Sequence, residues 1–153
     1  MSAEKISDNT LRPRRSVLYM PGANARALEK ARELRADCLI LDLEDAVAPD
    51  AKEMARTQIC DALREGGYGA REMVVRINGL ATPWGKDDIA AVAALEEKAR
   101  PQALLAPKIS TPEDIEAVAS LMPSGMDLWI MVETPAAIFN IQALAACAGD
   151  SKL

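Results

Sequence analysis

The sequence predicts an α/β fold in which parallel strands alternate with helices. Five short runs along the chain are almost continuously apolar, which is typical of parallel strands that are buried on both faces. Helical patterns separate the runs and no hairpin turn joins them, so right-handed crossovers are expected between neighbouring strands. The five runs are residues 16–20, 38–42, 73–77, 103–106 and 128–132.

Capping residues and buried stripes predict the helices between these runs. After the fourth run, Thr111 and Pro112 are typical of a helix start. Apolar residues then recur at i, i+3, i+4 and i+7 from Ile115 to Met122, which indicates one buried helical face.

The other helices show similar patterns. Asn24 is the expected cap of the first helix, whose apolar stripe lies within 27–34, and glycines at 66–69 end the helix that begins near Asp50. Thr134 and Pro135 open the last helix, and its expected buried stripe is Ile138, Ile141 and Leu144.

Regular alternation of strands and helices is compatible with either of two architectures. One is an open doubly wound sheet, and the other is a closed barrel of eight β/α units. Such a barrel needs roughly 250 residues. In the barrel case this chain of 153 residues would supply about the first five units, truncated before a sixth strand. We expect residues 1–14 to form a flexible arm ahead of a domain over 15–153.

Composition narrows the classes of function. The chain has no histidine, which excludes Ser-His-Asp triads and histidine-based zinc sites. A metal bound only through oxygen would be Mg²⁺, Mn²⁺ or Ca²⁺. A net charge of −5 and 3% aromatic residues argue against a nucleic-acid partner. No apolar stretch is long enough for a membrane span, and the N-terminus lacks a secretory h-region, so a cytoplasmic location is expected.

Polar residues follow each predicted strand at the same end. The carboxyl ends of parallel strands meet on one side of such folds, where binding and catalytic groups gather. The first strand ends in a turn with Pro21, Gly22 and Asn24; the second ends in Asp42, Glu44 and Asp45; the third carries Arg76 and Asn78; Lys108 follows the fourth; and Glu133 follows the fifth.

Arg76 and Glu133 each directly follow a run of aliphatic residues, where an unpaired charge is costly. Arg76 either forms a buried salt bridge to Glu44 or Asp45 or holds a substrate carboxylate with its guanidinium fork, and both roles are compatible. Glu133 is either a charge at a helix N-terminus or a ligand of a hard divalent cation.

Three further residues have open roles. Gly22 would let the backbone approach a ligand closely, and Asn24 opens a helix whose N-terminus could face a phosphate. Lys108 is a Schiff-base lysine, or else a surface lysine or one that faces a phosphate. Dinucleotide and P-loop motifs are absent from the sequence.

Taken in order, the strand ends resemble the citrate lyase β-subunit and malyl-CoA lyase family of the HpcH/HpaI aldolase superfamily. This resemblance favours the barrel over the open sheet. The matching segments are RSVLYMPG at 15–22, LDLEDAV at 41–47, VRIN at 75–78 with TPWG at 82–85, PK at 107–108 and VETP at 132–135.

The resemblance implies a carbon–carbon lyase that acts on a 3-hydroxyacyl-CoA thioester with Mg²⁺, or possible Mn²⁺, as cofactor. Malyl-CoA, methylmalyl-CoA, citramalyl-CoA and citryl-CoA are the expected substrate types, and a keto acid and an acyl-CoA are the products. A malyl-CoA thioesterase, a CoA-independent class II aldolase and a non-catalytic subunit of a lyase complex are the alternatives. The family also implies a homo-trimer or homo-hexamer.

The resemblance also implies roles for individual residues. Arg76 would bind the substrate carboxylate, and Glu133 would be both a metal ligand and a substrate contact. A second metal ligand, an Asp, is expected beyond Leu153. Glu44 and Asp45 would be catalytic, and together with Asp42 they would orient Arg76. The residues implied to bind the substrate are Arg15, Pro21, Gly22, Asn24 and Lys108.

Overall fold

A computed structural model describes residues 12–149, and their strands form one five-stranded sheet in which every neighbouring pair is parallel. The strand order is β1-β2-β3-β4-β5, so each strand pairs with the next one along the chain. A doubly wound sheet reverses its order at a switch point, whereas sequential order is that of a β/α barrel. The strands are β1 Val17–Pro21, β2 Cys38–Asp42, β3 Glu72–Arg76, β4 Ala103–Ala106 and β5 Asp127–Ile130.

The predicted alternation of strands and helices is therefore confirmed. Of the predicted arm, residues 1–11 lie outside the described residues, as do 150–153 at the other end of the predicted domain. Short 3-10 turns lie at Pro49–Ala51, Glu97–Ala99 and Cys147–Gly149. The helices are α1 Ala25–Ala31, α2 Lys52–Glu65, α3 Gly85–Ala93, α4 Pro112–Ala119, α5 Pro135–Phe139 and α6 Ile141–Ala146.

The predicted caps are also found in the structure. Thr111 and Asp114 form a reciprocal capping box at the start of α4, and Pro112 occupies its first turn. Thr134 caps α5 through its side chain. Gly66 ends α2 with φ of 68°, a conformation that side chains with a Cβ rarely adopt. Within residues 12–149, no helix is long and apolar enough to cross a membrane.

The predicted stripe of the last helix is wrong. Ile138 and Ile141 are 59% and 48% exposed, and only Leu144 of the three is buried. The helix breaks at Asn140 into α5 and α6, so the expected helical period does not continue across it. Ala137 packs into the core from α5 in place of the isoleucine.

Alternate residues of each strand face opposite sides of the sheet, which fixes where the functional residues lie. One set, including Leu39, Leu41 and Val75, packs against the helices in the larger core. The other set forms a smaller core on the inner face of the sheet, with Cys38, Ile40, Val74, Ala103 and Leu105. Continuing this alternation along β2 and β3 places Asp42 and Arg76 at the carboxyl end of the inner face.

Candidate active site

Arg76 and Asp42 form a two-pronged ion pair at the end of neighbouring strands. The strand register places them opposite each other. Arg76 Nε donates to Asp42 Oδ1 at 2.7 Å and Nη2 donates to Oδ2 at 2.6 Å. Asp42 is fully buried, and it also accepts hydrogen bonds from the backbone N–H groups of Glu44 and Ala46.

The other partners of Arg76 are the two acids that sequence reasoning proposed for its salt bridge. Nη1 lies 2.9 Å from Glu44 Oε2 and 3.7 Å from Asp45 Oδ2. Burial opposes the charged guanidinium, but the hydrogen bonds and charge of Asp42, with the charge of Glu44, raise the pKa of Arg76 above its ordinary value. Asp42 is thus the main partner, because its position in the strand register brings it directly beside Arg76.

Tyr19 also contacts Arg76, and the sequence did not predict this contact. The guanidinium carbon lies 4.9 Å from the centroid of the tyrosine ring, within range of a cation–π interaction. Met131 Sδ lies 3.7 Å from Nη1 on another side. Tyr19 pairs with Ile40, which lies on the inner face of the sheet, so the register between β1 and β2 places Tyr19 on the same face as Arg76. The sequence alone does not specify this register.

Glu44 is buried, and its Oε2 atom has no hydrogen-bond partner among the described residues. The atom is close to Arg76 Nη1, but this ion pair does not have hydrogen-bond alignment. Burial raises the pKa of Glu44, against the opposing charges of Arg76 and Lys108. Glu44 is therefore a carboxylate with unused acceptor capacity beside the guanidinium.

Lys108 links the carboxylates that follow β2 and β5. Its ammonium nitrogen lies 3.3 Å from Glu133 Oε1, 3.4 Å from Glu44 Oε1 and 3.8 Å from Asp45 Oδ2. Burial opposes its charge, but the carboxylates of Glu44 and Glu133 raise its pKa. A Schiff-base lysine needs a lowered pKa, so this environment argues against the nucleophilic role.

The backbone of Lys108 is unusual as well. Its φ of 57° makes it the one non-glycine residue with left-handed backbone among residues 12–149. In this conformation its N–H donates to Glu133 Oε1 at 2.8 Å. Strained backbone of this kind clusters at functional sites. Glu133 is thereby directed towards Lys108, while Thr134 caps the following helix.

The acidic side chains at this end of the sheet are of the type that binds a hard cation, but too few of those that the structure describes are arranged to hold one. Glu133, Glu44 and Asp45 offer only oxygen, and Glu44 Oε2 is a buried acceptor without a hydrogen bond. No group of three or more acidic or cysteine side chains within residues 12–149 is arranged to hold a metal ion. Glu133 would supply one ligand, and the Asp expected beyond Leu153 lies outside the described residues.

The turn after β1 is part of the same end of the sheet. Pro21 pairs with Asp42, and the N–H of Gly22 donates to the Asp42 carbonyl at 2.9 Å. A Cβ on Gly22 would lie 2.8 Å from that carbonyl and 2.6 Å from Ile59 Cδ1. Glycine is therefore required here by packing against β2 and α2. Asn24 uses its side-chain oxygen to cap α1, accepting from Ala27 N–H.

Arg15 is not brought together with these residues. It precedes β1 and pairs with Asp37 at the amino end of the sheet, with 2.9 Å between Nη2 and Oδ1. A five-residue strand separates it from the carboxyl end, a distance of roughly 17 Å at about 3.3 Å per residue. The structure thus pairs Arg15 with an acid at the opposite end of the sheet from Arg76, and its expected substrate contact stays a prediction.

These observations define a class of protein: a β/α-barrel fold with an acid-rich site around one arginine and one lysine at the carboxyl ends of its strands. The chain belongs to the HpcH/HpaI aldolase/citrate lyase family, whose family model matches residues 15–150. This confirms the resemblance predicted from the strand ends.

Three similar proteins illustrate the range of this family. A (3S)-malyl-CoA thioesterase from Cereibacter sphaeroides is 47% identical over 134 residues, which are 88% of this chain and 45% of that protein. Human mitochondrial citramalyl-CoA lyase is 32% identical over 141 residues, which are 86% of this chain and 41% of that protein. CitE from Mycobacterium tuberculosis, solved with magnesium, acetoacetate and coenzyme A, is 28% identical with a TM-score of 0.69. The match covers 89% of this chain and 46% of the CitE chain. The chain thus spans less than half of each.

Proposed function

We propose that the protein to which this chain belongs is an enzyme that acts on a 3-hydroxyacyl-CoA thioester of the malyl-CoA type, with a divalent cation. The observation that carries the proposal is the meeting of Arg76, Glu44, Lys108 and Glu133 at the ends of four different strands. Support for CoA thioesters and Mg²⁺ comes from the similar proteins, which include a thioesterase, a lyase and a CitE complex with magnesium and coenzyme A.

Carbon–carbon cleavage is the first candidate reaction. A base takes the proton of the substrate hydroxyl, the bond between the carbinol carbon and the thioester α-carbon breaks, and a keto acid is released. The electron pair of that bond forms a thioester enolate, which takes a proton to give the acyl-CoA. A bound cation would polarise the hydroxyl oxygen and stabilise the keto acid.

Residues of this chain would supply the other functions. The N–H groups of Arg76 that are not bound to Asp42 would hold the substrate carboxylate, while Tyr19 and Asp42 keep the guanidinium in place. Glu44 Oε2, buried and without a hydrogen bond, is the atom we assign to accept the hydroxyl proton. Lys108 would balance the charge of the acids and contact the substrate, and Glu133 would hold the cation.

Thioester hydrolysis is the second candidate, because identity to the malyl-CoA thioesterase is 47% and identity to citramalyl-CoA lyase is 32%. In this reaction water attacks the thioester carbonyl and the carbon–sulfur bond breaks, which gives a free acid and CoA thiol. The same acids and cation would polarise the substrate. The two candidates therefore share a substrate and differ in the bond that breaks.

Incubation of the full-length protein with malyl-CoA separates the candidates. The lyase gives glyoxylate and acetyl-CoA without free thiol, whereas the thioesterase gives malate and one equivalent of thiol without glyoxylate. Removal of metal with a chelator should abolish either activity, and Mg²⁺ or Mn²⁺ should restore it. Turnover that is unaffected by the chelator would contradict the role of the cation.

Absence of both products would overturn the proposal and test the remaining alternatives. A class II aldolase would cleave keto-acid aldols and fail to bind CoA thioesters in calorimetry. A non-catalytic subunit would turn over none of these compounds, and its mass in size-exclusion chromatography would rise with a partner chain. The same measurement on the protein alone tests the proposed trimer or hexamer.

A further inference from the structure

Lys52, the first residue of α2, is a buried lysine that sequence reasoning did not select. It is 6% exposed, and its ammonium group donates to the carbonyls of Leu43 at 2.7 Å and Glu44 at 2.6 Å. Burial lowers the pKa of Lys52, opposed by the surrounding acids, foremost Asp42 and Glu44. Neither hydrogen bond goes to a carboxylate, so the lysine holds backbone rather than an acidic side chain.

The two carbonyls belong to the acidic loop, residues 43–48, which joins β2 to the 3-10 turn before α2. The same loop is held from a second direction by Asp42, which accepts from the N–H groups of Glu44 and Ala46 at 2.8 Å and 3.1 Å. The peptide units around Glu44 are therefore bonded through both their carbonyl and their N–H groups. This double attachment holds the backbone from which the Glu44 side chain extends.

Lys52 also contacts the loop that follows β3. Its ammonium lies 5.6 Å from the centroid of the Trp84 ring. One turn further along α2, Arg56 donates to the Trp84 carbonyl at 3.3 Å and to Asp88 Oδ1 at 2.7 Å. Asp88 in turn accepts from the backbone N–H and side-chain amide of Asn78. One face of α2 thus fixes the loops after β2 and β3 relative to each other.

A buried ammonium is an expensive way to fill this space. An apolar side chain of the same length would pack without the desolvation cost of the charge, and replacing buried charges in this way is often neutral or stabilising. An apolar side chain would, however, remove the lysine donor from the Leu43 carbonyl, and the Glu44 carbonyl would keep only the N–H of Val47 at 3.0 Å. What the charge adds is control of the loop geometry.

We propose that Lys52 is a positioning residue, which holds the acidic loop so that Glu44 faces Arg76 and Lys108. This inference rests on the proposed function for its kinetic consequence, but not for its structural one. The Glu44 atoms involved lie 2.9 Å from Arg76 Nη1 and 3.4 Å from Lys108 Nζ. A shift of about 1 Å in a catalytic group can cost about a hundredfold in rate.

The test is K52M in the full-length protein, with K86M as the matched control because Lys86 is an exposed lysine on the next helix. For K52M we expect kcat to fall about ten- to a hundredfold while KM stays within about twofold. Hydrogen exchange should accelerate in residues 43–48 and stay unchanged in β3. K86M should match the wild type in all three measurements.

Wild-type kcat in folded K52M, or unchanged exchange in the acidic loop, would overturn the inference. K52Q keeps an uncharged amide with two N–H donors on a shorter side chain. If K52M does not fold, K52Q tests the inference instead, with a smaller expected fall in kcat. Failure of both variants to fold would also overturn the inference, since Lys52 would then be a stability residue. If the wild type is inactive on malyl-CoA, the proposed function fails, and hydrogen exchange alone still decides the role of Lys52.

Discussion

The two ends of the sheet pair their charged side chains in different ways. At the amino end, Arg14 binds Glu72 with two hydrogen bonds of 2.5 Å and 2.8 Å, and Arg15 pairs with Asp37. Each cation there has one acid. At the carboxyl end, four acids at or just beyond the ends of β2 and β5 share two cations: Asp42, Glu44, Asp45 and Glu133 with Arg76 and Lys108.

This difference agrees with a structural role for the charges at the amino end and with the proposed reactive role of those at the carboxyl end. A one-to-one pair is satisfied and has no capacity for a ligand, which suits the end of a barrel that serves stability. A surplus of acids leaves acceptors free, as at Glu44 Oε2, and favours the arrival of a further cation. Arg14 also packs against β5 at this end of the sheet, because its guanidinium carbon lies 4.8 Å from the centroid of the Trp129 ring.

The largest expected effect is the loss of stability in R76M. Methionine removes both hydrogen bonds to Asp42, a fully buried carboxylate, and breaking such a pair costs about 3–5 kcal/mol. Urea unfolding of the full-length protein at pH 7 measures it. R14M should cost less, since Arg14 is 42% exposed, and should leave kcat unchanged. Equal stability of R76M and the wild type would show that the Asp42 pair is not needed.

R76K should have the next largest effect, on activity. Lysine keeps the charge but lacks the planar fork that binds Asp42 and the proposed substrate carboxylate together. We expect kcat/KM for malyl-CoA to fall about a hundredfold with the fold retained. Steady-state kinetics with circular dichroism on the same preparation measures both. Unchanged kcat/KM in R76K would contradict the substrate role of Arg76.

The smallest effects concern how stability depends on pH, and the two ends should differ in sign. Hydrogen bonds from Arg15 hold the pKa of Asp37 at about 2, below its ordinary 3.8. The Asp37 carboxylate binds a proton more tightly in the unfolded chain than in the folded one. Its contribution to stability is therefore present above pH 3.8 and is lost as pH falls towards 2. D37N should remove that loss, measured by urea midpoints from pH 2 to 7.

Glu44 should behave in the opposite way, because burial raises its pKa above the ordinary 4.5. The folded state holds this proton more tightly, so stability declines as pH rises from about 4.5 through the raised value. E44Q should remove the decline in the same titration. A decline in E44Q as steep as in the wild type would assign it to another group.

Much of this architecture follows from local signals in the sequence. The apolar runs predict the strands, and Thr111 with Pro112 predicts a helix start, because strand burial and capping act over a few residues. The common edge of parallel strands also predicts that Arg76, Glu44 and Asp45 meet. The role of Arg15 came from the family resemblance and not from this rule, since a residue before a strand lies at the opposite edge.

Other features depend on relations that the chain does not display locally. Asp42 is the main partner of Arg76 because of the register between β2 and β3, which two separate apolar runs do not specify. Tyr19 reaches Arg76 because of a second register, the one between β1 and β2. Lys52 did leave a signal: a lysine at a helix N-terminus is disfavoured by the helix dipole, so its presence needs a reason.

The sequential strand order has a consequence for how the chain folds. Among the five strands that the structure describes, each of β2 to β5 pairs with the strand made just before it, so none of these four pairings joins distant segments. Contacts between adjacent units keep the entropy of loop closure small, which favours rapid assembly. We expect the sheet to grow in the direction of synthesis, one unit at a time as the chain leaves the ribosome, with Arg76 docking onto an Asp42 already in place.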